Sequence, residues 1–173
     1  MSEKIRVLVV DDSALMRKLI PSILARDPEI EVVGTAMDGE FALKKIEELR
    51  PDVVTLDLEM PRMDGMETLR LIMRRAPLPV ILFSTHSKEG AYSTLKALAL
   101  GAVDFIAKPA HEQAERLAEL AEELQQKVKT AAQVRVACAV RRRPARRVAF
   151  SARPKESSLS ALRPEGSRRS RLC

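Results

Sequence analysis

The sequence predicts a doubly wound α/β fold, a (βα)5 chain with a parallel sheet in the flavodoxin-like strand order 2-1-3-4-5. Two observations carry the prediction. Short runs such as Val7-Leu8-Val9-Val10 and Val80-Ile81-Leu82-Phe83 are apolar at every position, as strands covered on both faces require. Between such runs lie segments with helical apolar spacing, and the right-handed crossovers they imply place helices on both sides of a sheet.

In chain order, strands are expected at Ile5–Val10, Glu31–Thr35, Val53–Leu56, Val80–Ser84 and Val103–Ala107. The first helix is read from Leu15, Leu19 and Ile23, the second from Phe41, Ile46 and Leu49, and the third from Leu69, Ile72 and Met73. Ala91, Leu95 and Leu98 mark a fourth, and Leu117, Leu120, Ala121, Leu124 and Val128 a longer fifth. Asp38-Gly39 should open the second helix, Arg50-Pro51-Asp52 close it, and Gly101 end the fourth.

The charge is divided along the chain. Of a net +6, residues 1–133 hold 18 Lys/Arg against 22 Asp/Glu, whereas residues 134–173 hold 12 against 2. The body is therefore acidic and the end strongly basic. Residues 1–125 are expected to form the folded domain, 126–140 a linker continuing from the last helix, and 141–173 a disordered basic low-complexity tail. Cys138 and Cys173 have no zinc-type spacing, the N-terminus does not read as a signal peptide, and no apolar run approaches the ~18 residues of a membrane span. A cytoplasmic protein without membrane insertion is expected. With Trp absent and aromatics at 3%, no base-stacking platform is expected, and nucleic acid is expected only as a nonspecific partner of the tail.

Ligands of open α/β sheets bind beyond the carboxyl ends of the strands. There the sequence places Asp11 and Asp12 after strand 1, Asp57 after strand 3, Ser84 and Thr85 at strand 4, and Lys108 after strand 5. Each has an ordinary reading: Asp11 and Asp12 as helix-start acids, Asp57 as a turn residue, Ser84 and Thr85 as caps, Lys108 as a solvated lysine. Together, however, three carboxylates at one rim repel by about 4 kcal/mol per pair at ~4 Å and an effective dielectric of 20. Mg2+, an oxygen-seeking octahedral cation, is the compensation they call for, with Lys108 on the other side.

Val7-Leu8-Val9-Val10-Asp11-Asp12-Ser13, Leu56-Asp57-Leu58-Glu59-Met60-Pro61 through Gly65, and Gly101-Ala102-Val103-Asp104-Phe105-Ile106-Ala107-Lys108-Pro109 strongly resemble the response-regulator receiver domain, from about residue 4 to 125. The resemblance implies that Asp57 accepts a phosphoryl group from a sensor histidine kinase. It implies Mg2+ bound by Asp12 and Asp57, by Asp11 through water, and by the Glu59 main-chain carbonyl. Ser84 and Lys108 would meet phosphoryl oxygens. Ser84 and Phe105 would form a switch altering a helix 4–strand 5–helix 5 face for a protein effector. A cis peptide before Pro109 is also implied. Where many receivers have Thr and Tyr, this chain has Ser84 and Phe105, so the ring lacks a phenolic hydroxyl.

Ser13-Ala14-Leu15-Met16-Arg17, Thr55 through Leu69 and Leu98 through Phe105 look like the chemotaxis protein-glutamate methylesterase (CheB) family, and Lys127 through Ala132 resembles its interdomain linker. The catalytic half of that family is not found in this sequence: no Gly-rich serine elbow follows, the two histidines are His86 and His111, and Ser157, Ser158 and Ser160 lack a partner base. No esterase activity is expected. The Arg-rich segment after Val134 reads as a truncated or frame-disrupted product, or else as an electrostatic tail. The rival functions are a stand-alone binding module or phosphate sink, and a fragment of a full-length methylesterase. A haloacid-type phosphatase is disfavoured because Asp11 and Asp12 are adjacent rather than Asp-x-Asp, and a DNA-binding regulator because no helix-turn-helix follows Thr130.

Overall fold

A computed structural model describes residues 3–60, 63–85, 88–108 and 114–134. Strands and helices alternate: β1 (Ile5–Val10), α1 (Met16–Leu24), β2 (Ile30–Ala36), α2 (Gly39–Leu49), β3 (Val53–Asp57), α3 (Gly65–Arg75), β4 (Val80–Ser84), α4 (Lys88–Ala99), β5 (Asp104–Ala107) and α5 (Ala114–Gln133). The strands form one parallel sheet in the order β2-β1-β3-β4-β5. Fold class and strand order are those predicted.

Because successive strand side chains point to opposite faces, the apolar runs feed two cores. Leu8, Val10, Val54, Leu56 and Leu82 meet Ala42 and Ile46 of α2, Leu69 and Ile72 of α3, and Ala97 of α4. Val7, Val9, Val53, Ile81, Phe83 and Ile106 meet Ile20, Ile23 and Leu24 of α1 and Leu120, Leu124 and Val128 of α5. Each such side chain contributes roughly 1.5–3 kcal/mol by leaving water, and the double coverage leaves the strand ends as the sheet's accessible polar rim.

The helix boundaries follow local chemistry. The Asp38 carboxylate accepts the Phe41 amide at 2.9 Å and caps α2, while Arg50 takes the left-handed conformation that ends it. Asp64 caps α3 by accepting from the Met66 amide at 3.2 Å. Gly101, at φ +117°, follows α4 in a conformation that favours glycine.

Three residues predicted on core faces are exposed, although Leu19 and Ile23 of α1 and Leu98 of α4 do pack against the core. Leu15 is exposed and precedes α1, whose buried side chains are Ile20, Ile23 and Leu24. In α4 the buried residues are Gly90, Thr94 and Ala97, whereas Leu95 is exposed. Counting large apolar residues misassigns a helix that packs through its small ones. Phe41 likewise faces outward while Ala42 is buried. Helix α5 continues past residue 125 to Gln133, with Val128 and Ala131 buried in the same core as Leu124. Among the described residues no helix is long and apolar enough to cross a membrane. The expectations for Pro109, His86, His111, the end of the linker and the 141–173 tail lie outside the described residues.

Candidate functional site

The sheet order reverses between β1 and β3, and that crevice is where the carboxylates gather. Asp11, Asp12 and Asp57 each bring a carboxylate oxygen within 4.8 Å of the others. Asp57 is the last residue of β3 and fully buried; Asp11 follows β1 and is fully buried; Asp12 is exposed. Lys108, just beyond β5, reaches across to Asp57 Oδ2 at 2.6 Å and to Asp11 Oδ2 at 3.4 Å. Its own amide is fixed by the Ser84 carbonyl at 2.8 Å. Residues 51 positions apart in sequence thus form the central ion pair.

The ordinary and chemical readings of these residues coexist. Asp57 Oδ1 accepts the Glu59 amide at 2.9 Å, a turn bond that leaves Oδ2 facing the site. Asp11 Oδ1 accepts the Ser13 amide at 2.9 Å, while its buried Oδ2 has no hydrogen-bond partner. That oxygen faces the Lys108 ammonium at 3.4 Å, but one lysine among three carboxylates within 4.8 Å leaves negative charge that suits a hard cation, so the residues present fit Mg2+. The Glu59 side chain is turned elsewhere, accepting from the Thr85 hydroxyl at 2.6 Å, which ties the β3–α3 loop to the end of β4. Thr85 therefore does not simply cap α4.

Burial dominates the electrostatics. It lifts Asp57 from 3.8 to about 6, with the hydrogen bonds and charge of Lys108 and the Glu59 amide opposing it and the charge of Asp11 assisting. Burial also raises Asp11, against Lys108. Lys108 is disfavoured as a cation by its own burial, but its bonds to Asp57 and the Asp11 charge outweigh that and raise its pKa. Since Asp57 binds its proton more tightly in the folded state, its contribution to stability is greatest below about pH 4 and is lost as the pH rises through about 6. With a chelator present, urea unfolding should show a penalty from this group reaching about 3 kcal/mol by pH 7. Added Mg2+ should reverse it. A Mg2+-independent pH profile would contradict this electrostatic account.

Ser84 ends β4 and is 5% exposed. It lines a cavity of about 360 Å3 together with Thr94, Leu95, Leu98, Phe105 and Ala107. Phe105 points outward at 42% exposure, on edge strand β5. Its amide donates to the Asp104 carboxylate at 2.7 Å, and its carbonyl accepts from Lys127 Nζ. Lys127 also pairs with Asp104 at 3.2 Å and stands 5.2 Å from the Phe105 ring centroid. The sequence reading missed Lys127 and Arg17. Arg17 Nη1 donates to the main-chain carbonyls of Asp11 and Asp12 at 2.8 and 2.7 Å. Bonds to main-chain oxygens leave no residue-type signature; position in the first turns of α1, beside the acidic loop, was the available hint.

Comparison with known proteins agrees with this architecture. Residues 7–122 match the family model described as the response regulator receiver domain. A protein-glutamate methylesterase/protein-glutamine glutaminase of Koribacter versatilis is 63% identical over 76% of this chain and 36% of its own length. One from Symbiobacterium thermophilum is 58% identical over 74% and 35%, respectively. The chain thus spans little more than a third of these relatives. Among solved structures, the response regulator domain of Thermotoga maritima CheB superposes with a TM-score of 0.70 and 47% identity, covering 77% of this chain and 99% of that one. The receiver domain of NarL from Mycobacterium tuberculosis follows at 0.65 and 33%, covering 77% and 99%. The chain belongs to the response regulator receiver domain family, and its likeness runs to the CheB receiver.

Proposed function

We propose that this chain is the phosphoryl-accepting receiver of a chemotaxis-type two-component pathway, with Asp57 as the acceptor. The observation that carries the reading is a buried Asp57 carboxylate joined to Lys108 at 2.6 Å within a group of three carboxylates. In the step envisaged, an Asp57 oxygen forms a bond to phosphorus as the bond from phosphorus to the imidazole nitrogen of a kinase phosphohistidine breaks, and the released imidazole takes a proton from solvent. Asp11, Asp12, Asp57 and the Glu59 main-chain carbonyl would hold Mg2+, which when bound neutralises charge on the phosphoryl oxygens. Lys108 supplies a second positive charge, and the Ser84 hydroxyl offers a donor to the product. Such positioning and neutralisation account for most of phosphoryl-transfer catalysis.

The output reading is a switch in which Ser84 moves toward the new phosphoryl group and Phe105 follows into the neighbouring cavity. Tyr92 and Leu95 of α4 and Phe105 of β5 are exposed apolar side chains, a composition that suits docking of a protein effector. Similarity to methylesterases makes control of that activity the natural output, and the sensor kinase of a chemotaxis system the natural donor.

Acetyl phosphate with Mg2+ should add one phosphoryl group to the intact protein, and peptide masses should place it between residues 53 and 60. Chelation of the metal should abolish the gain. No mass gain, or a phosphoryl group on another peptide, would refute the assignment.

A further inference from the structure

The three carboxylates of the site are held in different ways. Asp57 is fixed by the Glu59 amide and Lys108, and Asp11 by the Ser13 amide. Asp12 is exposed, so the direction of its side chain depends on the two peptide planes that flank its Cα. The oxygen of one plane is the Asp11 carbonyl and that of the other is the Asp12 carbonyl. Arg17 Nη1 bonds both, at 2.8 and 2.7 Å. One nitrogen of one side chain therefore ties together the two peptide planes that carry Asp12, with the Ser13 amide bond to Asp11 Oδ1 as the other restraint on the second plane.

We infer that Arg17 is a positioning residue for the cation site, acting through Asp12. This rests on the Mg2+ reading proposed above. Arg17 lies on α1, partly buried, and lines a shallow pocket with Met37 and Phe41. From there it meets main-chain oxygens, so its bonds occupy none of the carboxylate oxygens.

Charge and geometry make opposite predictions for this residue. As a nearby positive charge, Arg17 repels Mg2+, and its removal should tighten binding. As the clamp of Asp12, its removal should loosen the ligand set, and lost support of this kind weakens metal affinity by about tenfold or more. The structure favours the second effect because Asp12 is the carboxylate left to its backbone.

Calorimetric titration of the full chain with Mg2+ alone distinguishes the cases. Arg17→Ala should bind about tenfold more weakly, and Arg17→Lys, whose ammonium can donate to both carbonyls, should recover most of the loss. Urea unfolding of each variant in chelator provides the control, because a purely structural role would lower metal-free stability without changing the affinity of the folded protein. If Arg17→Ala does not fold, Arg17→Gln takes its place, with the same weakening expected. Equal or tighter Mg2+ binding by the charge-removing variant, with wild type binding normally, would overturn the inference alone. Absence of Mg2+ binding by wild type would overturn the cation reading and the inference with it.

Discussion

Asp57→Asn should abolish phosphoryl uptake from acetyl phosphate and, in metal-free buffer at pH 7, make the protein more stable than wild type. An amide nitrogen or oxygen cannot replace the carboxylate as nucleophile, so the loss of labelling should be complete. The gain in stability follows from the cost of keeping a buried charge at this position, which burial expresses by lifting Asp57 to about 6. Asn keeps one acceptor oxygen, enough for the Glu59 amide, which bonds Oδ1, or for Lys108, which bonds Oδ2, but not for both; against that lost bond stand the removal of the buried charge and of its repulsion with Asp11. The expected gain is about 1–3 kcal/mol, read as a higher urea midpoint, and it should shrink toward acid pH as wild-type Asp57 takes up its proton. Mg2+ should narrow or reverse the difference, since the variant loses a ligand. An unchanged or lower midpoint in chelator at pH 7 would show that Lys108 fully compensates the buried carboxylate.

Gly65→Ala should be among the most destabilising exchanges available in this chain. A Cβ at Gly65 would meet the Asp57 carbonyl oxygen at 2.4 Å and the Leu58 Cα at 2.6 Å, and both are backbone atoms. No rotamer change relieves that contact; either α3 must back away or the end of β3 must move. Overpacking of this kind costs roughly 3 kcal/mol, and here the displaced atoms belong to Asp57, the proposed acceptor, and to Leu58 beside it. Urea unfolding should therefore register the loss, and acetyl phosphate labelling of the remaining folded protein should slow as well. Gly34→Ala is the internal control, because the nearest obstacle there is the Leu49 side chain, which can rotate. Similar costs at the two positions would contradict the argument.

Sheet order and site location were legible because both follow from alternation of apolar runs with helical segments and from the residue types at the strand ends. The β4 bounds coincide with the predicted Val80–Ser84, and Asp38, Arg50 and Gly101 mark the helix limits expected of them. Helix faces were harder to read. Leu15, Phe41 and Leu95 looked like core positions and are exposed, because the contacts are made by neighbours including Ala42, Thr94 and Ala97. Size of side chain predicts burial poorly where a helix must approach a sheet closely. In the site, the types and chain positions of Asp11, Asp12, Asp57 and Lys108 were readable, but the pairings were not. Whether Lys108 favours Asp57 or Asp11, and that Thr85 engages the Glu59 side chain, depends on fractions of an ångström set by loop geometry. Arg17 bonds to main-chain oxygens, which every residue possesses, so residue types alone did not announce it, whereas Lys127 stands four residues after Glu123, a helical ion pair that the sequence did offer.

The neighbourhood of Phe105 has a further consequence for how this protein can associate. As the outermost strand on its side, β5 is the kind of border on which a foreign strand can zip up and seed aggregation. At Phe105 both main-chain groups are already occupied, the amide by Asp104 and the carbonyl by Lys127, and those two side chains close on each other. The border is thereby stoppered at its middle. A partner docking on this flank would have to recognise the aromatic ring and the surrounding side chains, and contacts of that kind are made and released more readily than an added strand.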